Sequence, residues 1–167
     1  GNARRRRHSS NGVAMSVWLG GVRALLDRLE ATQGAALDAL ADAGAKAIAA
    51  GGVVHVGGTG HSAIVPLEAF HRAGGLAAMN PLWDPATLPP TGAPVATMLE
   101  RDPARGRAAV DAAGILPGEL LIVVSQSGIN GAPVETAIAG AERGATVAAF
   151  VSLAHSEGLE SRHPSGR

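Results

Sequence analysis

Cysteine is missing altogether, which excludes disulfides and thiolate metal sites and fits a cytoplasmic protein. Tyrosine is missing too, and two tryptophans and two phenylalanines make up the whole aromatic inventory. Stacking platforms for nucleic-acid bases are therefore hardly supplied. Net charge is absent: 14 basic residues balance 14 acidic ones. Four of the basic residues stand together at Arg4–Arg7, so the rest of the chain is slightly acidic and offers no polyanion-binding surface by bulk charge. No apolar run reaches membrane-spanning length. The arginine run is followed by polar residues from His8 to Gly12, which is not the layout of a secretory signal. The histidines and acids show no metal-ligand spacing. No nucleic acid, membrane, metal or cofactor is expected as a partner.

What is present is organised around Glu119–Asn130, read ELLIVVSQSGIN. Leu120 to Val124 is an unbroken, β-branched apolar run, as in a strand buried on both faces of a parallel sheet. It gives way within one residue to Ser125-Gln126-Ser127-Gly128. Helix signals follow: Asn130 as N-cap, Pro133 near the first helical position and Glu135 as a first-turn acid. Strand, hydroxyl-rich turn and helix make a place to hold an anion, because free N–H groups and the positive helix end point at the turn.

The remainder alternates strands with helices. Residues 1–14 lack any apolar period and read as a disordered lead-in, a vector remnant or a basic arm before Met15. Residues 15–167 read as one domain. Apolar residues at helical spacing run from Val17 to Ala50, with a break expected at Thr32-Gln33-Gly34. So long a helical lead-in suits packing on a second subunit, or a fold back onto its own core. Val53–Val56 is a first strand, followed by Gly57-Gly58-Thr59-Gly60-His61-Ser62 and a helix from Ala63 to Arg72 with Pro66 in its first turn. A short strand lies within Leu76–Trp83, then a proline-rich loop, then a helix over Thr97–Gly114 interrupted near Asp102-Pro103. After the central strand come a helix over Ala132–Arg143 and a fourth strand over Thr146–Val151. The expected fold is an α/β three-layer, flavodoxin-like open parallel sheet with a helical lead-in.

Two strand ends thus carry the same device. In a sheet ordered 2-1-3-4 they are neighbours at the point where the winding reverses. Thr59, Ser62, Ser125, Gln126 and Ser127 would then face one crevice suited to a phosphate and sugar hydroxyls. Neither loop holds Arg or Lys, so dipoles and neutral donors would bind the anion. The ordinary alternative is that Gly and Ser simply make tight turns and caps. A rival reading takes Gly58-Thr59-Gly60-His61-Ser62-Ala63 as a GxGxxA dinucleotide fingerprint, with Asp84 as the ribose-binding acid.

These residues resemble the sugar isomerase (SIS) domain family. The SQSG turn looks like its phosphate loop and GTGHS like its first sugar-binding loop. GTGHSAIVPLEAFHRAGGL, SQSGINGAPVETA and SRHPSGR resemble in particular the SIS proteins grouped as UPF0309. The resemblance covers nearly the whole chain from Val17. It implies phosphosugar binding by Gly58, Thr59, Gly60, Ser62, Ser125, Gln126, Ser127, Gly128 and Asn130, and homodimers or tetramers with shared sites. Many SIS phosphate loops carry Thr where this chain has Asn130. Family members usually continue past the HPSG stretch into another strand and helix.

The activity implied is sugar-phosphate isomerisation through an enediol, which needs a carboxylate base and an acid–base partner. Glu68 is the candidate base. It lies six residues beyond Ser62, one helical turn short of the family's glutamate at about ten, where Arg72 stands. A Glu68–Arg72 surface pair is the plainer role. His61 inside the first loop and His163 in the tail are the further catalytic candidates. A non-catalytic phosphosugar-sensing module and an NAD(P)-binding protein remain as alternatives.

Overall fold

The computed structural model describes residues 6–166, and the fold is built on four parallel strands in the order β2-β1-β3-β4. Helix α1 spans Arg6–Ala49, β1 Val54–Gly58, α2 Ile64–Ala69, β2 Met79–Leu82, α3 Ala93–Leu99, α4 Pro103–Ala113, β3 Leu120–Val124, α5 Gly131–Glu142, β4 Thr146–Phe150 and α6 Leu153–Ser156. A 3₁₀ turn, Gly60–Ala63, leads into α2. The expected strand order and alternation are met, and helices flank the sheet.

The chain divides into two compact units, Gly1–Ala41 and Asp42–Arg167. In the first, two expectations are corrected. Residues 6–14, expected to be disordered, belong to α1, while 1–5 lie outside the described residues. The break at Thr32–Gly34 does not occur. Thr32 Oγ1 donates to the Arg28 carbonyl in ordinary helical register, 2.8 Å away. One interior glycine costs a helix only about 1 kcal/mol, and alanines at 31, 35 and 36 are the best formers available. Val17, Trp18, Leu25, Leu26 and Leu29 are exposed. Among the described residues no helix is long and apolar enough to cross a membrane.

In the second unit, alternation along the strands sorts side chains to two faces. Leu121 and Val123 join Leu82, Val110, Ile115 and Ala139 in a core between the sheet and α4 and α5. Leu120 and Val54 face the other way, near Gly44 in the last turns of α1. Helices α4 and α5 approach so closely that a Cβ on Gly106 would run into the Ala132 carbonyl oxygen and the backbone of Thr136. Neither obstacle is a movable side-chain tip.

A buried polar network stands among these apolar residues. His55, only 2% exposed, faces Glu119 Oε2 through Nε2 at 2.8 Å. Asn80 Nδ2 lies 3.0 Å from His55 Nδ1, so that nitrogen accepts and Nε2 carries the proton toward the carboxylate. Glu119 also accepts from the main-chain N–H groups of Val53 (3.0 Å) and Leu116 (2.8 Å). Desolvation is the largest single influence on Glu119 and pushes its carboxyl up. The Leu116 N–H, His55 and the Val53 N–H together outweigh it, and the net shift is downward from the ordinary 4.5.

A carboxyl lowered by folding stabilises the fold fully above its ordinary value and loses that contribution as pH falls through the lowered one. Glu119→Ala should therefore cost about 3 kcal/mol at pH 7, because one buried and two partly buried donors lose their acceptor. The gap to wild type in urea unfolding should close progressively below about pH 4.5. Gly106→Ala should destabilise by about 2 kcal/mol or more through overpacking, read as a lower urea midpoint.

Candidate functional site

Strands β1 and β3 pair in parallel with Gly58 opposite Val124, so their carboxyl ends stop side by side and the two loops start together. In the first loop the chain turns back at once. A Cβ on Gly58 would stand 2.7 Å from the Ser62 carbonyl oxygen, and Gly60 has φ +57°. Both positions demand glycine. In the second loop the Ser125 N–H donates to Phe150 O of the neighbouring strand at 3.0 Å, and Gly128 N–H donates to Ser125 Oγ at 3.1 Å. Gly128 adopts φ +65°, which closes the turn ahead of α5. The turn is also braced from outside, since Ser156 Oγ donates to Ser127 O at 2.5 Å.

The two loops open onto one cleft of about 370 Å³. Thr59, Gly60, His61 and Ser62 line it from one side, and Ser125, Gln126, Ser127 and Asn130 from the other. The expected crevice thus exists, and the positive end of α5 faces it through Asn130. Gly58 and Gly128 do not line it; they shape the backbone beside it.

Two candidate acid–base residues stand elsewhere. Glu68 lies along a separate, apolar groove with Ile64 and Leu76, and its Oε1 is paired with Arg72. The plain surface pair is thus what is present, although the helix expected to run to Arg72 ends at Ala69 and Arg72 reaches back from the turn beyond it. His163 is largely buried, with Nε2 2.8 Å from Glu135 Oε2 and Nδ1 2.7 Å from Ser165 Oγ. Glu135 is not a first-turn acid: α5 begins at Gly131, and Glu135 lies past its first turn, engaged by His163 and by Arg107 Nε at 2.6 Å. The hydrogen bonds that Arg107 donates to Glu142 and then to Glu135 raise its guanidinium above its ordinary value.

Other groups reach the cleft without any sequence signal having marked them. Glu100, the C-cap residue of α3, lines it. Its Oε2 accepts from Thr59 Oγ1 at 3.2 Å and its Oε1 from Asn130 Nδ2 at 3.1 Å. The acid thereby ties the two loops together. Neither Thr59 nor Asn130 caps its helix with its side chain, because both side chains turn to Glu100 instead. His155 on α6 and the buried Thr87 also line the cleft, with Pro89 and residues of α3. Arg162 from the tail places Nη1 2.6 Å from Asn130 Oδ1, so a guanidinium does approach the second loop, contrary to the expectation of neutral donors alone.

Asp84, the ribose-binding candidate of the dinucleotide reading, is bound to Arg105 through both carboxylate oxygens, at 2.8 and 2.5 Å. It also caps the turn at Ala86, and it does not line the cleft.

Comparison with known proteins agrees with this geometry. The SIS domain family model matches residues 17–152. A UPF0309 protein of Listeria monocytogenes is 39% identical over 133 residues, which is 78% of this chain and 54% of that protein. One from Brucella ovis is 39% identical over 132 residues, covering 79% and 53% of the two chains. The chain thus spans about half the length of the curated relatives it matches. Among solved structures, a phosphoheptose isomerase from Neisseria gonorrhoeae superposes with a TM-score of 0.65 at 19% identity, over 92% of this chain and 82% of that one. A phosphoheptose isomerase from Francisella tularensis gives 0.66 at 18% identity, over 90% and 79%. Sequence match, strand order and the position of the two loops converge, and the chain belongs to the SIS domain family.

Proposed function

We propose that this protein binds a phosphorylated sugar in the cleft between its two strand-end loops and acts as a sugar-phosphate isomerase. The observation that carries the reading is the meeting of Thr59, Ser62, Ser125 and Ser127 over one cleft at the head of α5. The phosphate takes the hydroxyls and N–H groups of the Ser125–Gly128 turn, where the helix dipole favours an anion. The sugar extends toward Thr59 and Glu100.

Isomerisation moves a proton between adjacent carbons through an enediol, with an acid–base group within reach. The cleft offers His61 and His155 for that step. Glu68 and His163, also candidates by resemblance, would need a second copy of the chain to bring them to this cleft. The exposed apolar residues of α1, among them Trp18 and Leu26, suit such a homo-oligomer in the cytoplasm. A second reading, a phosphosugar-sensing module without turnover, is favoured by the position of Glu68 outside the cleft.

A thermal-shift screen across hexose, heptose and amino-sugar phosphates, with NAD and NADP alongside, tests the class of ligand. Sugar phosphates should raise the melting temperature and the dinucleotides should not. Ser127→Ala should weaken the best binder about tenfold, the loss of one donor to a charged group. Glu68→Gln should leave that affinity within about twofold. Unchanged affinity in the Ser127 variant would remove the phosphate from this turn. Turnover by wild type that persists in Glu68→Gln would assign the proton transfer to the histidines, whereas binding without turnover would favour the sensor.

A further inference from the structure

Four acids among the described residues are shielded from solvent in part or in full: Asp84, Glu100, Glu119 and Glu135. Three of them face a base. Asp84 has Arg105, Glu119 has His55, and Glu135 has Arg107 and His163. Glu100 has none. Its two oxygens accept from the Thr59 hydroxyl and the Asn130 amide, both neutral. Asn130 stands between it and the Arg162 guanidinium. Among the described residues, no lysine or arginine lines the cleft onto which Glu100 opens.

A carboxylate with two single acceptances keeps further lone pairs for a ligand. Filling the cleft strips water from it, and a ligand that brings no donor leaves a desolvated charge behind. His61 and His155 also line the cleft, but neither is bonded to Glu100, so a ligand that brings its own cation answers the acid directly. The anionic end of that ligand sits at the Ser125–Gly128 turn, so one molecule has to carry phosphate at one end and a positive group at the other.

We infer that Glu100 selects a phosphosugar bearing a free, protonated amine, an amino-sugar phosphate rather than its hydroxyl or N-acyl counterpart. The inference rests on the phosphosugar reading and specifies the ligand of the same cleft. A hydroxyl at that position gives Glu100 a neutral hydrogen bond, and an ammonium gives it a charge-assisted one, about twice as strong. Acylation removes the charge and adds bulk beside Thr59.

Calorimetric titration of the full chain at pH 7 with glucosamine 6-phosphate, glucose 6-phosphate and N-acetylglucosamine 6-phosphate tests this. Glucosamine 6-phosphate should bind about tenfold tighter than either of the others. In Glu100→Gln the preference should collapse to within about twofold, with glucose 6-phosphate still bound. Equal affinities in the wild-type protein, a comparison that needs no variant, would overturn the inference and leave the phosphosugar reading standing. A preference that survives Glu100→Gln would overturn the assignment to this residue. Failure of all three compounds to bind would sink the phosphosugar reading itself.

Discussion

The parallel pairing of β1 with β3 is the constraint on which the rest depends. Gly58 lies opposite Val124, so both strands end at the same height and both chains leave the sheet at one point. A slip of one residue would turn every side chain of a strand to the other face. It would take Leu121 and Val123 out of the core they share with Val110 and Ile115. The register is thus held by apolar burial, and the cleft inherits its geometry from that burial. Glycines at 58 and 60 then let the first loop fold back tightly enough to face the second.

The two ends of a buried polar chemistry are handled in opposite ways. Glu119 accepts three hydrogen bonds, from His55, Val53 and Leu116, and ties β1 to the start of β3. Glu100 is tied to two loops by one bond to each, with no base beside it. The first arrangement is closed and serves stability. The second is open on the side of the cleft.

Much of this was legible in the sequence, because a short continuous apolar run between turn signals is what a strand covered on both faces requires. Leu120–Val124 and its hydroxyl turn announced the site, and alternation implied the parallel sheet, while the order 2-1-3-4 entered only as a condition. What was not legible depends on contacts between distant residues. Glu100 ends a short helix in proline-rich sequence, where no period or spacing distinguishes it from a solvated acid. Arg162 and His155 reach the cleft region only because the segment after β4 returns across the second loop, where Ser152 N–H bonds Gln126 O and Arg162 N–H bonds Ile129 O. Glu135 read as a dipole residue because its partner bases, Arg107 and His163, lie 28 positions away on either side. The unbroken run of α1 was hidden by a Gly34 that long helices tolerate.

Asn130 has a consequence of its own. Its amide gives a proton to Glu100 on one side and takes one from Arg162 on the other. Such a residue works as an insulator: it keeps an acid and a base a full side chain apart in a space where they would otherwise neutralise each other. An aspartate there would lose the donor and set two carboxylates face to face. The acid therefore keeps its charge on the cleft side of Asn130 while the guanidinium stays behind it, with no ligand needed to hold the two apart.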